Sequence, residues 1–303
     1  MNIEPFDNFQ HASRATLSHL YQRFGFALWM VTRTEGDDWQ ILFTEDHGYD
    51  ISEGQVFRWS DSFCKRMVAG QGPQFAPRTG EIPVYVSAEI GSQLDVGAYI
   101  GMPLRRVDGS LFGTLCAIDP VGHEDLEQRD RDLIELLATL LSTVLTSESR
   151  TIDQMRREAT SEDAQDLDAE TGLLDGPAWE RVLAAEEATA RDFGSPACVV
   201  SIELSPGPSS SALHHVAGIV RRMVRETDFA ARVGEHTFAV LMVECGASGG
   251  ARFHRMVQDE LAAAGIAASV GWATREPSTG IEQAWKRAEA AAEAGRTSDR
   301  PAG

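Results

Sequence analysis

A helical stripe near the middle divides this chain and argues against one continuous core. Leu126, Leu133, Leu137, Leu140 and Val144 recur at coiled-coil spacing in an amphipathic helix that begins at Glu124. Beyond Ser147 the pattern turns polar, and "EATSEDAQDLDAE" reads as an acidic, weakly apolar connector. The stripe has two uses open to it. Either it pairs with its twin from a second copy over residues 124–150, giving a homodimer, or it packs back on the domain it leaves. With 303 residues the chain exceeds one ordinary core. The expected organisation is a domain over 10–147, a helical and acidic linker over 148–166, and a second domain over 167–297, all of class α+β.

Charge and composition narrow the partners. A formal net charge of −19 repels nucleic-acid phosphate and the anionic face of a membrane, so neither is an expected partner. No apolar run approaches the roughly 20 residues that span a bilayer. The start, Met1-Asn2-Ile3-Glu4-Pro5, lacks the basic and apolar regions of a signal peptide. The expected location is therefore cytoplasmic. Cys64, Cys116, Cys198 and Cys245 lie apart in strand-like contexts without Cys-x-x-Cys spacing and read as buried free thiols, with a covalent ligand site as the alternative.

Each half has its own rhythm. In the first, Leu17 to Phe26 reads as a helix, "ALWMVTR" and "WQILFTE" as strands, and Phe57 to Val68 as a helix followed by a glycine- and proline-rich loop to Pro83. "VGAYIGMPLRRVDGSLFGTLCAIDP" gives a hairpin turning at Asp108-Gly109. In the second, a helix Pro177–Phe193, the strand "ACVVSIEL", the loop "SPGPSSS" and a helix His214–Glu226 lead to "RVGEHTFAVLM". That segment reads as two strands around a tip at Gly234-Glu235-His236-Thr237. A helix Ala251–Ala264, the strand "ASVGWAT" and an alanine-rich helix close the chain.

The hairpin "YIGMPLRRVDGSLFGTLCAIDP" and the helix after it resemble the last strands and exit helix of GAF domains, sensory modules in which helices flank a sheet. The resemblance implies a small-molecule pocket, its ligand unknown, walled by aromatic side chains with a few polar groups. Trp59, Asp61, Phe63, Tyr85 and Tyr99 are the candidate lining residues, each of which also reads as core or surface. No His/Cys cluster argues for a metal or haem.

The second half resembles the GGDEF family, the diguanylate cyclases that condense two GTP into cyclic di-GMP on a ferredoxin- or nucleotidyl-cyclase-like sheet. "DAETGLLDGPAWERVL" is similar to the family's opening motif, and "VRETDFAARVGEHTFAVL" to the segment running into its signature hairpin. The resemblance implies a magnesium-dependent site at Glu203, Gly234, Glu235, His236 and Thr237, and this chain departs from it four times. Glu235 replaces the second glycine, so a charged side chain stands where backbone should approach phosphate. His236 and Thr237 replace two acidic residues, and neither suits Mg²⁺. Glu203 keeps the carboxylate of the metal position, but "SPGPSSS" follows it without the base-reading asparagine. The phosphate-clamping lysine falls in "AEAAAEAGR", where alanine, or Glu289 or Glu293, stands instead. These residues are therefore read as vestigial, with no catalytic residue or metal ligand assigned, and Mg²⁺ enters only if the site works.

Arg225-Glu226-Thr227-Asp228 has the order of the family's product-binding Arg-x-x-Asp motif. Arginine can fork onto a guanine edge or phosphate and aspartate can accept from guanine nitrogens, so Arg225 and Asp228 are candidates for binding cyclic di-GMP; a local salt bridge is the other reading. Three functions follow from the resemblance. The leading one is a signalling pseudoenzyme whose GAF-like sensor is coupled to a degenerate GGDEF-like module that docks a protein partner or cyclic di-GMP. The others are a low-activity diguanylate cyclase and an interaction module that uses no nucleotide.

Overall fold

Apolar runs bounded by turn residues become two separate antiparallel sheets, one before and one after the dividing helix in the chain. The computed structural model describes residues 5–123, 127–161 and 166–298. The chain falls into the units Met1–Thr151 and Ile152–Gly303.

In the first unit the Asn8 side chain accepts from the His11 N–H at 2.7 Å and caps α1 (Phe9–Phe24). The helix starts at Phe9 rather than Leu17 because its buried face mixes Phe9 and Ala12 with Ser13 and Thr16, which blurs the apolar period. There follow β1 (Leu28–Glu35), β2 (Asp38–Asp46), β3 (Val56–Arg58), α2 (Phe63–Val68), β4 (Phe75–Ala76), α3 (Pro83–Val86), α4 (Ile90–Gln93), β5 (Ala98–Arg105) and β6 (Leu111–Asp119). The sheet order is β3-β2-β1-β6-β5-β4. The helix expected over 57–68 is divided. Phe57 pairs with Trp39 on β2, Trp59–Asp61 makes a single 3₁₀ turn, and only from the Ser62 cap does an α-helix run. A ladder partner found far along the chain overrides local propensity there. Gly109, at φ +82°, supplies the left-handed residue of the turn between β5 and β6.

The dividing helix α5 runs over Gln128–Ser161, so the expected positions Glu124 and Leu126 lie outside the described residues. Ile134, Ala138, Leu141 and Leu145 form its buried face. It lies antiparallel to α1: Arg23 meets Asp130 at 2.9 Å and the Phe9 N–H donates to Glu148 at 2.5 Å. The helix thus does pack on its own domain, through residues one step round from the predicted stripe. Leu133, Leu137 and Val144 are only half-buried, and Leu136 and Leu140 are 54% and 51% exposed.

The second unit comprises α6 (Gly176–Phe193), β7 (Ala197–Leu204), α7 (Ser210–Met223), β8 (Phe229–Arg232), β9 (Thr237–Val243), α8 (Ala247–Ala263), β10 (Ala268–Thr274) and α9 (Gly280–Ser298). The sheet order is β10-β7-β9-β8, antiparallel throughout. Strand parity divides the core between two faces. Cys198, Val200, Ile202, Leu204, Phe238, Val240 and Met242 pack under α7 and α8, while Val199, Ala239 and Leu241 pack under α6 and α9. Covering both faces explains why β7 and β9 are almost wholly apolar. The alanines of α9 let it approach the sheet closely: a Cβ on Gly271 would stand 2.1 Å from the Ala288 carbonyl oxygen. Helix α7 begins at Ser210, capped by Ser209, and ends at Met223 rather than running from His214 to Glu226.

Candidate functional site

The opening motif builds a hydrogen-bonded knot. Asp168 accepts from the Thr171 N–H at 2.8 Å and from its hydroxyl at 2.7 Å, and Gly172 turns at φ +62°. Leu174 then donates to Ala230 and accepts from the Arg232 N–H, which fastens the loop to β8. Burial opposes ionisation of Asp168, but the Thr171 bonds and the Arg232 charge outweigh it and hold its carboxyl below the usual range.

From this knot Arg232 reaches the hairpin tip. Its guanidinium meets Glu170 at 2.8 Å and donates to the backbone carbonyls of Glu235 at 2.8 Å and Gly234 at 3.2 Å. The Val233 N–H closes the turn on the Thr237 carbonyl at 3.0 Å. Gly234 and Glu235 are exposed, and His236 and Thr237 half-buried. On β7, Glu203 pairs in register with Thr237, and the Leu204 N–H donates to the His236 carbonyl. The structure thus gathers the five vestigial candidates at one end of the sheet.

A cation absent from the sequence reading completes the cluster. Arg296 of α9 brings Nε to 3.4 Å from Glu203 Oε1, while His236 Nε2 stands 3.8 Å from the same oxygen. Burial, and then the Glu203 charge, push the nearby Glu289 carboxyl up. In "AEAAAEAGR" the residue that meets Glu203 is therefore the terminal arginine. Its only sequence signal is a basic residue closing an alanine-rich helix, which has no motif attached.

Arg225 and Asp228 occupy the turn between α7 and β8. Arg225 is exposed, but Asp228 is only 4% exposed. Its oxygens accept from the Arg225 N–H at 3.1 Å and the Val243 N–H at 3.2 Å. The expected side-chain salt bridge is replaced by this backbone capping. Burial pushes the Asp228 carboxyl up despite those bonds.

In the first unit Phe63, Tyr85 and Tyr99 form one aromatic cluster. Phe63 stacks on Tyr85 with centroids 4.7 Å apart, and Tyr99 meets both edge-on. The Tyr85 hydroxyl donates to the Pro73 carbonyl and that of Tyr99 to Cys64 Sγ at 3.3 Å. Trp59 is half-buried against the larger apolar core that holds these rings and meets Trp39, whereas Asp61 is buried with its carboxylate accepting from Ser60.

Away from all the predicted residues, a groove of about 610 Å³ runs between α6 and the start of α9, past Leu183, Glu187 and Trp285. Glu187 there accepts from Arg275 and from the Ile281 N–H, and despite its burial these bonds lower its carboxyl. Among the described residues no group of three or more His, Cys, Asp or Glu side chains is placed to hold a metal ion, and no helix is long and apolar enough to cross a membrane.

The first unit is thus an α+β domain with an antiparallel six-stranded sheet, two long helices and short elements between its strands. Residues 8–145 match the GAF domain model, and this part of the chain is a GAF domain. The second unit follows the order that the sequence resemblance to GGDEF domains implies: opening motif, first strand, hairpin and closing helix. Among solved structures it is similar to the GGDEF domain of DgcB from Caulobacter crescentus in complex with c-di-GMP, at 20% identity and TM-score 0.41, covering 46% of this chain and 94% of that one. It is also similar to the FimX GGDEF domain from Pseudomonas aeruginosa, at 20% identity and TM-score 0.40, covering 45% and 96%. The third likeness is to diguanylate cyclase SiaD in complex with its activator SiaC from Pseudomonas aeruginosa, at 18% identity and TM-score 0.42, covering 57% and 73%. No curated protein matches the chain.

Proposed function

We propose that this signalling protein couples its GAF domain, through α5, to a GGDEF-like unit that does not make cyclic di-GMP and serves as a regulatory module in the cytoplasm. One observation carries the reading: the carboxylate retained at the metal position, Glu203, faces a guanidinium of its own chain, Arg296. Phosphoryl transfer depends on positioning and on neutralising phosphate charge, largely through Mg²⁺. An ion entering here would have to displace Arg296, and at the hairpin it would meet imidazole and hydroxyl in place of two carboxylates. The Glu235 side chain adds negative charge where triphosphate would approach.

The test is incubation of the full chain with GTP and Mg²⁺, with mass spectrometry for cyclic di-GMP. The expected result is no product; product that disappears in Glu203→Ala would establish the low-activity cyclase instead. A cyclic di-GMP receptor is the second reading, favoured by the exposed Arg225. Because Asp228 is engaged by backbone, such binding would rest on Arg225 without the usual acidic partner. Saturable calorimetric heat lost in Arg225→Ala supports it, and absence of heat leaves a nucleotide-independent partner module.

A second copy is the occupant we assign to the outer face of α5. Leu133, Leu137, Leu140 and Val144 keep coiled-coil spacing there, with Leu136 beside them, on a helix whose other face is already filled.

A further inference from the structure

Two glycines stand in the first turn of α8, Gly249 and Gly250, where helix-forming alanine would otherwise be favoured. What they adjoin explains them. A Cβ on Gly249 would stand 2.6 Å from Cys245 Sγ, and one on Gly250 would stand 2.8 Å from Cys198 Sγ. The two thiols occupy one recess between the start of β7 and the start of α8. Cys198 Sγ lies 3.1 Å from the Cys245 carbonyl oxygen, and the two sulfurs lie 3.4 and 3.7 Å from the same Gly246 carbonyl oxygen. Both sulfurs therefore share one carbonyl acceptor, and both are free and buried.

We propose that Cys198 and Cys245 form a redox pair that hydrogen peroxide converts to an intrachain disulfide and that cellular thiols return to the dithiol. In the first step the Cys245 thiolate attacks one peroxide oxygen; the O–O bond breaks, giving a sulfenic acid and hydroxide, which takes up a proton. Cys198 then attacks the Cys245 sulfur, displacing the sulfenic hydroxyl as water with the Cys198 proton. Two thiols and one peroxide thus become one disulfide and two waters, with sulfur oxidised and peroxide oxygen reduced.

The roles follow from the surroundings. The Cys198 hydrogen bond, and after it the charges of Arg225 and Arg252, favour the Cys245 thiolate over the opposing effects of burial and Asp228. Cys198 is the more deeply buried, and the same pairing together with desolvation raises it, which suits a resolving thiol that stays protonated until sulfenic acid forms. The bond would tie the start of β7 to the segment entering α8. Val243, two residues before Cys245, donates to Asp228 at 3.2 Å, so the Arg225–Asp228 turn adjoins the segment that the bond would tie.

The experiment treats the full, reduced chain with hydrogen peroxide under native conditions, quenches, unfolds in alkylating reagent and maps the cross-link by mass spectrometry. The expected result is loss of two of the four alkylatable thiols, with a Cys198–Cys245 linked peptide reversed by dithiothreitol. In Cys198→Ser, which retains a small polar group should Cys198→Ala fail to fold, Cys245 should instead be trapped as sulfenic acid by dimedone. The proposal is overturned if all four thiols remain alkylatable, if the cross-link joins Cys64 to Cys116 instead, or if Cys245 is not labelled by dimedone in folded Cys198→Ser.

Discussion

Replacing Arg156 with alanine should loosen, within the second unit, the end of α5 from α6 at a cost that can be worked out from its contacts. Arg156 forks onto Glu186 of α6 at 2.9 and 2.7 Å and also meets Asp153 at 3.0 Å. The Arg156 and Glu186 side chains are only 6% and 8% exposed. Removing one partner of such a pair leaves a buried charge uncompensated, which costs about 3–5 kcal/mol. With a urea dependence of about 2 kcal/mol/M, the second unit's midpoint should fall by roughly 1.5–2.5 M. Urea unfolding of the full chain, with hydrogen exchange assigning the transition to peptides of α6 and the end of α5, measures this. The double variant Arg156→Met/Glu186→Leu should recover most of the loss, because two apolar side chains of similar volume leave no orphaned charge. A single-variant loss below about 1 kcal/mol, or strictly additive losses in the double variant, would refute the assignment of a buried, coupled pair.

Three further outcomes are expected. Asp168→Asn should lower stability at neutral pH by about 1–2 kcal/mol by weakening the Thr171 knot. Since the folded carboxyl lies below its ordinary 3.8, its contribution is present above that value and is lost as pH falls through the lower folded value, so wild-type and variant melting curves should converge in strong acid. Gly271→Ala forces a Cβ against the Ala288 carbonyl and should destabilise by about 1–3 kcal/mol while moving α9, seen as faster hydrogen exchange along that helix. Leu136→Glu/Leu140→Glu should convert a dimer to monomer in analytical ultracentrifugation without changing the thermal transition, since both side chains are already exposed.

Much of the fold was legible where pattern and packing agree. β7 and β10 match "ACVVSIEL" and "ASVGWAT" residue for residue, because apolar runs bounded by proline, glycine or polar turns leave little choice. Segments whose state is decided by distant partners were less legible. Phe57 joins a strand because β2 lies beside it, and α7 stops at Met223 because Asp228 turns back to cap the following backbone. At the candidate site, the hairpin and the residues of its tip could be read directly from Gly234 to Thr237. Arg296 could not, since an arginine far along the chain from Glu203 gains meaning only when α9 packs on the sheet. The aromatic candidates of the GAF domain sort likewise by contact: Phe63, Tyr85 and Tyr99 belong together, while Asp61 bonds elsewhere.

The claim that Glu203 is held by Arg296 and not by a metal is tested most directly by manganese(II) electron paramagnetic resonance with a non-hydrolysable GTP analogue. Wild-type and Glu203→Ala chains should leave the same free-ion signal as the analogue alone. Protein-bound manganese that requires Glu203 would contradict the account.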